Sequence, residues 1–402
     1  MTKLQVHLTT LVLLIVCCTT PLLAQQNSLT GSIVEITFLE RKTAAQIAES
    51  NRTFFEQFAH PAPIYPVEVF ELRFLTRDAD RSIVAALATL YIPIVERPTE
   101  APLLAFGSGT TGLGDHCAPN GRVRGWSSYR NNMLAYGSQG IITVFPDYVG
   151  FNDPAIPQRY FSKTAEGHLM LDALRAVRAV FAERPELIRG AIQPGPGNVT
   201  AGYSQGGHAA LAALDMNAAY APELRLDAGI GFGSTNSVEK LMQEAAYYSA
   251  SIVYAYQQIY GTTRIDPAEV FQSRWVPTLE ENVLSMCVHE FQQYYPFDGK
   301  QFYTTEFYDA LHEGRLAQEF PQIQQILDEN VSGLDGHRKP VLMIQGNQDI
   351  IVTNPAQREF AERLRAAGSD VELVEMEGVR HRHTRPAGFA RSVAFIFEVF
   401  GR

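Results

Sequence analysis

The stretch Val199-Thr200-Ala201-Gly202-Tyr203-Ser204-Gln205-Gly206-Gly207-His208-Ala209-Ala210 decides how this chain folds. An apolar run, Val199 to Tyr203, ends in Gly202-Tyr203-Ser204-Gln205-Gly206, which has the form G-x-S-x-G. A helical run, Gly207 to Met216, follows at once. Strand, sharp turn and helix in that order place a serine on a strained turn at the carboxyl end of a core strand. The glycines are steric requirements, since side chains at Gly202 and Gly206 would collide with the flanking strand and helix. Ser204 is therefore the candidate nucleophile.

A serine hydroxyl attacks only when a histidine takes its proton and an acid orients that histidine, in the chain order serine, acid, histidine. Asp349 is the one carboxylate in the loop Gly346-Asn347-Gln348-Asp349, after the apolar strand Val341 to Ile344. Its competing role is to cap a helix that begins near Pro355. The loop after Val371 to Met376 offers two histidines, His381 and His383. His381 is preferred as the base, because it leaves a loop of ordinary length before a final helix near Ala387. His208 reads as a packed core histidine, and His116 and His168 lack a matching placement. An oxyanion needs backbone N–H donors. One would come from Gln205. The second would come from the glycine-rich Gly107-Ser108-Gly109-Thr110-Thr111-Gly112, with Thr110 preferred over Thr111 and Gly112. Asp147, at the end of another apolar run, reads as an acceptor that fixes its loop.

Outward from this centre, Val67 to Leu75 and Ile83 to Ile94 alternate apolar and polar residues and predict an antiparallel pair. Short continuous apolar runs follow: Pro102 to Phe106, Gly140 to Phe145, Val199 to Tyr203, Ala228 to Phe232, Pro340 to Ile344 and Val371 to Met376. Helical stretches such as His168 to Phe181, Phe360 to Ala367 and Ala387 to Phe400 separate or follow them. Such alternation predicts an α/β-hydrolase fold, a mostly parallel sheet flanked by helices. From Ser234 to Gly336 the strand signal lapses, and helical periodicity and aromatics take over. This predicts a helical cap, residues 234–336, inserted before the last strands; a separate domain in series is the alternative. The aromatics there suit either an acyl tunnel or ordinary packing of the cap.

Residues 1–24 carry Lys3, the short apolar run Leu11 to Cys18 and Ala24 at a cleavage position, the pattern of a secretory signal. The run is shorter than the ~20 residues of a spanning helix. The mature domain would cover 25–402, exported to the periplasm or beyond. Two cysteines remain, Cys117 and Cys287, and an even count in an exported chain favours one disulfide over two buried thiols. The formal charge of −10 argues against nucleic acid as a partner. Nothing implies a metal, a cofactor or a stable protein partner. A small-molecule or lipid ester is the expected substrate, and transient contact with a lipid interface is compatible with it.

Several blocks together make the chain resemble the secretory lipase family, which includes lipase A-type enzymes. They are Gly109-Thr110-Thr111-Gly112 with Asp115-His116-Cys117-Ala118-Pro119, Pro146-Asp147-Tyr148-Val149-Gly150, the serine motif through Ala209, and Tyr220-Ala221-Pro222-Glu223-Leu224. The similarity runs over essentially the whole mature chain. It implies a hydrolase core with a helical cap, a triad on Ser204, Asp349 and a histidine of the last loop, and Cys117 bonded to Cys287. Asn120 stands where the family usually has serine, and Ser108 where many bacterial members have histidine. Three functions fit the residues: hydrolysis of carboxylic esters through an acyl-enzyme, hydrolysis of amides with the same triad, and a non-catalytic secreted binder on a hydrolase scaffold.

Overall fold

Nine strands form one sheet in the order β1-β2-β3-β5-β4-β6-β7-β8-β9. In chain order they are β1 (Ile33–Lys42), β2 (Val67–Arg77), β3 (Ile83–Pro93), β4 (Thr99–Gly107), β5 (Ile142–Pro146), β6 (Ile192–Tyr203), β7 (Arg225–Phe232), β8 (Val341–Gly346) and β9 (Val371–Met376). The computed structural model describes residues 29–120 and 127–401, and the expected signal segment 1–24 lies outside them. Pairing is antiparallel from β1 through β2 and β3 to β5, and parallel from β5 to β9. This is the α/β-hydrolase architecture anticipated from the alternation of strands and helices.

Every residue of β5 and β8 is buried, as a strand covered on both faces must be. Successive residues of β4 show the division. Leu103 and Ala105 join a core with Leu169, Val177 and Leu211, from the helices Lys163–Glu183 and Gln205–Tyr220. Leu104 and Phe106 point the other way and pack with Tyr136, Phe389 and Ile396, from Ser127–Ser138 and Thr384–Val399. β1 and the following helix, Ala44–Phe55, have no counterpart among the sequence expectations. β1 is an edge strand with Val34, Phe38 and Leu39 all about half exposed, so its apolar residues do not mark a buried face.

Between β7 and β8 the chain leaves the sheet and forms short helices, from Val238–Glu244 to Pro321–Glu329. They enclose a core of their own, in which Tyr256, Phe302 and Phe307 are fully buried. Most of the aromatics in this interval are therefore packing. Tyr247 and Tyr248 instead line a cavity above the sheet. Cys117, after β4, is bonded to Cys287 in the insertion. Among the described residues no helix is long and apolar enough to cross a membrane.

Candidate active site

β6 delivers Ser204 at φ 53°, ψ −114°, a strained conformation at the very start of the helix Gln205–Tyr220. The glycines around it are required by contact. A Cβ on Gly202 would lie 2.0 Å from the carbonyl oxygen of Gly206, and one on Gly206 would lie 2.0 Å from that of Gly107. Ser204 N–H donates to the Phe232 carbonyl at 2.9 Å, which fixes the turn against β7.

The loops after β8 and β9 bring the acid and one histidine to this serine. His381 Nε2 lies 3.0 Å from Ser204 Oγ, and His381 Nδ1 lies 2.6 Å from Asp349 Oδ2. Asp349 Oδ1 accepts from the amides of Ile351 (2.9 Å) and Val352 (3.0 Å), so each carboxylate oxygen has its own partners. The helix-capping role is filled instead by Thr353, whose hydroxyl accepts from the Ala356 amide. His383 turns elsewhere: its Nε2 accepts from Arg382 Nε at 3.1 Å and its ring faces Phe58. Burial, and then the charge of Arg382, hold the His383 imidazole below its ordinary pKa.

Thr110 shares the cavity wall with Ser204, and its hydroxyl is tied to Tyr160 OH at 2.7 Å. The neighbouring Gly109 amide donates to Tyr129 OH at 2.7 Å. Thr111 and Gly112 are engaged with the insertion: the Thr111 carbonyl accepts from Val288 N–H at 2.8 Å, and Gly112 bridges to Cys287. Gln205 opens its helix, where the first amides lack intrahelical partners and the dipole favours negative charge. The cavity holds about 1070 Å³ and is bounded by Tyr203, Tyr247, Tyr248, Val288 and Ile351 besides the residues named.

Two buried acids surround this centre. Asp147 Oδ1 accepts from the backbone and side-chain amides of Asn120 (3.0 and 2.9 Å), and its Oδ2 accepts from Asn152 Nδ2 at 2.9 Å. Burial pushes its carboxyl up to about 7 against the pull of those donors. Asn120 also accepts from Thr89 Oγ1 at 2.6 Å, so the residue that departs from the family pattern ties two strand ends together. The second acid escaped the sequence reading. Glu166 Oε2 lies 2.5 Å from His208 Nδ1, and its Oε1 accepts from Gln205 Nε2 at 2.7 Å and Phe161 N–H at 3.0 Å. His208 is thus part of a buried polar network under Ser204. Its place four residues after Ser204 is the one signal that could have pointed there.

Among the described residues, His116, Cys117 and Cys287 form the one grouping with metal-ligand spacing. The two sulfurs are bonded to each other, which leaves a single imidazole as donor.

The ligand-bound form of the rice cell wall degrading esterase LipA from Xanthomonas oryzae is similar, with a TM-score of 0.74 and 21% identity over 93% of this chain and 98% of that one. Candida antarctica lipase A in its closed state is similar too, with a TM-score of 0.68 and 17% identity over 92% and 82% of the two chains. No curated protein sequence matches. The family model described as secretory lipase matches residues 132–401, which include Ser204, Asp349 and His381. The chain belongs to the secretory lipase family and is a carboxylic ester hydrolase.

Proposed function

We propose that the chain hydrolyses carboxylic esters through an acyl-enzyme formed on Ser204, with His381 as the base and Asp349 orienting it. The observation that carries this reading is the unbroken relay from Asp349 Oδ2 through His381 to Ser204 Oγ, at 2.6 and 3.0 Å, opening on the cavity. His381 Nε2 takes the proton of Ser204 as Oγ bonds to the ester carbonyl carbon. The amides of Gln205 and Thr110 donate to the resulting oxyanion. The carbon–oxygen bond to the alcohol then breaks, and the alcohol leaves with the proton from His381. Water, deprotonated by the same imidazole, attacks the acyl-enzyme and releases the acid.

The insertion, residues 234–336, acts in this reading as the cap of the site. Cleavage after Ala24 releases the mature enzyme outside the cytoplasm, where the disulfide persists. Labelling of purified protein with a fluorophosphonate, read by mass spectrometry, tests the proposal. The expected adduct is on Ser204 and disappears in His381→Ala while persisting in His383→Ala. A folded protein that takes no label would overturn it.

A further inference from the structure

Arg385 lies at the start of the last helix and is buried, only 7% exposed. Its guanidinium carbon sits 4.1 Å from the Tyr129 ring centre and 5.0 Å from that of Tyr203, and Nη2 reaches Ser128 Oγ at 3.3 Å. Nε and Nη1 are buried and have no hydrogen-bond acceptor among the described residues. Among the described residues no carboxylate pairs with this guanidinium, and residues 1–28 and 121–126 contain no Asp or Glu. Stacking on aromatic rings offsets part of the cost of burying a cation, but a desolvated charge without a counter-ion remains unfavourable. Arg385 lines the active-site cavity, so an anion in that cavity would face its uncompensated positive charge.

Its neighbours share the sign. Arg380 and Arg382 are exposed and line the same cavity. Among the described residues neither forms an ion pair with a carboxylate; Arg382 Nε donates to His383. Against these three arginines the cavity wall offers one acid, Glu56. The Asp349 carboxylate faces His381 and two backbone amides. A concentration of positive charge in a cleft, on a chain of net charge −10, focuses the field on what enters. All three arginines flank His381 in sequence, so the charge is carried by the segment that holds the base.

We propose that the cavity selects esters that carry a carboxylate besides the ester bond, with Arg380, Arg382 and Arg385 as the residues that recognise it. The guanidinium fork suits a carboxylate, which it can engage through two parallel N–H donors. This inference rests on the esterase reading above and specifies its substrate class.

The test compares two esters with the same leaving group, 4-nitrophenyl butyrate and the 4-nitrophenyl monoester of glutaric acid, on the full mature chain. The quantity read is the ratio of their kcat/KM values, rather than the rate on either ester. The wild type is expected to favour the monoester by about tenfold at low salt, an advantage that shrinks as ionic strength rises. Arg380→Gln combined with Arg382→Gln should bring the ratio toward one, and Arg358→Gln, outside the cavity, should leave it in place. A wild-type ratio at or below one, insensitive to salt, overturns the selection and leaves the esterase reading standing. A high ratio that survives in the double variant overturns the assignment to Arg380 and Arg382. Hydrolysis of neither ester, without fluorophosphonate labelling, overturns the esterase reading itself.

Discussion

The backbone carbonyl of Asn330 accepts a hydrogen bond from His208 Nε2 at 2.7 Å, joining the end of the helical insertion to the helix that follows Ser204. A carbonyl only accepts, so Nε2 carries a proton, and Nδ1 meets Glu166 Oε2 at 2.5 Å. Glu166 in turn holds Gln205. His208→Ala leaves Glu166 Oε2 buried without its partner. The expected loss is about 3–5 kcal/mol in denaturant unfolding, with a drop in kcat as Gln205 loosens.

Two histidines two residues apart should behave very differently. His381→Ala is expected to lower kcat on the order of 10⁴-fold or more, and Asp349→Asn about 10⁴-fold, whereas His383→Ala should stay within a factor of a few. Steady-state kinetics on one neutral ester distinguishes them. Equal losses at both histidines would contradict the geometry.

Asp147 makes stability depend on pH in a definite direction. Burial raises its carboxyl from 3.8 to about 7, so over that interval the folded chain holds a proton that the unfolded chain has lost. Its contribution is therefore most favourable below about pH 4 and falls as pH rises toward 7, by on the order of 2–4 kcal/mol. Unfolding free energies from pH 4 to 8 should slope less in Asp147→Asn than in the wild type.

The bond from Cys117 to Cys287 spans 170 residues of sequence. Closing so long a loop restricts the unfolded chain, and its loss should cost about 2–5 kcal/mol. A reductant should lower the melting temperature of the wild type and leave a Cys117→Ser, Cys287→Ser double variant unmoved.

The central strands were legible in the sequence because burial on both faces leaves continuous apolar runs, as in Ile142–Pro146 and Val341–Gly346. The elbow was legible because Gly202 answers to Gly206, within a few residues of Ser204, although Gly206 itself answers to the distant Gly107. β1 was not, since a half-exposed edge strand carries no clear pattern. The choice of His381 over His383 followed from loop length, but their separate surroundings come from distant parts of the chain. Glu166 and His208 are 42 residues apart and meet only through the packing of their helices. Nothing in the sequence singles out Arg385. Tyr129 and Tyr203, from elsewhere in the chain, bury it.

The junction of Thr111 and Gly112 with Val288 and Cys287 has a further consequence. The loop that carries Thr110 and the roof of the cavity are stapled to each other by a covalent bond. In a compartment where thiols stay reduced, that staple would be missing and Thr110 would be held by hydrogen bonds alone. Formation of the disulfide would then fix the loop of Thr110 against the insertion.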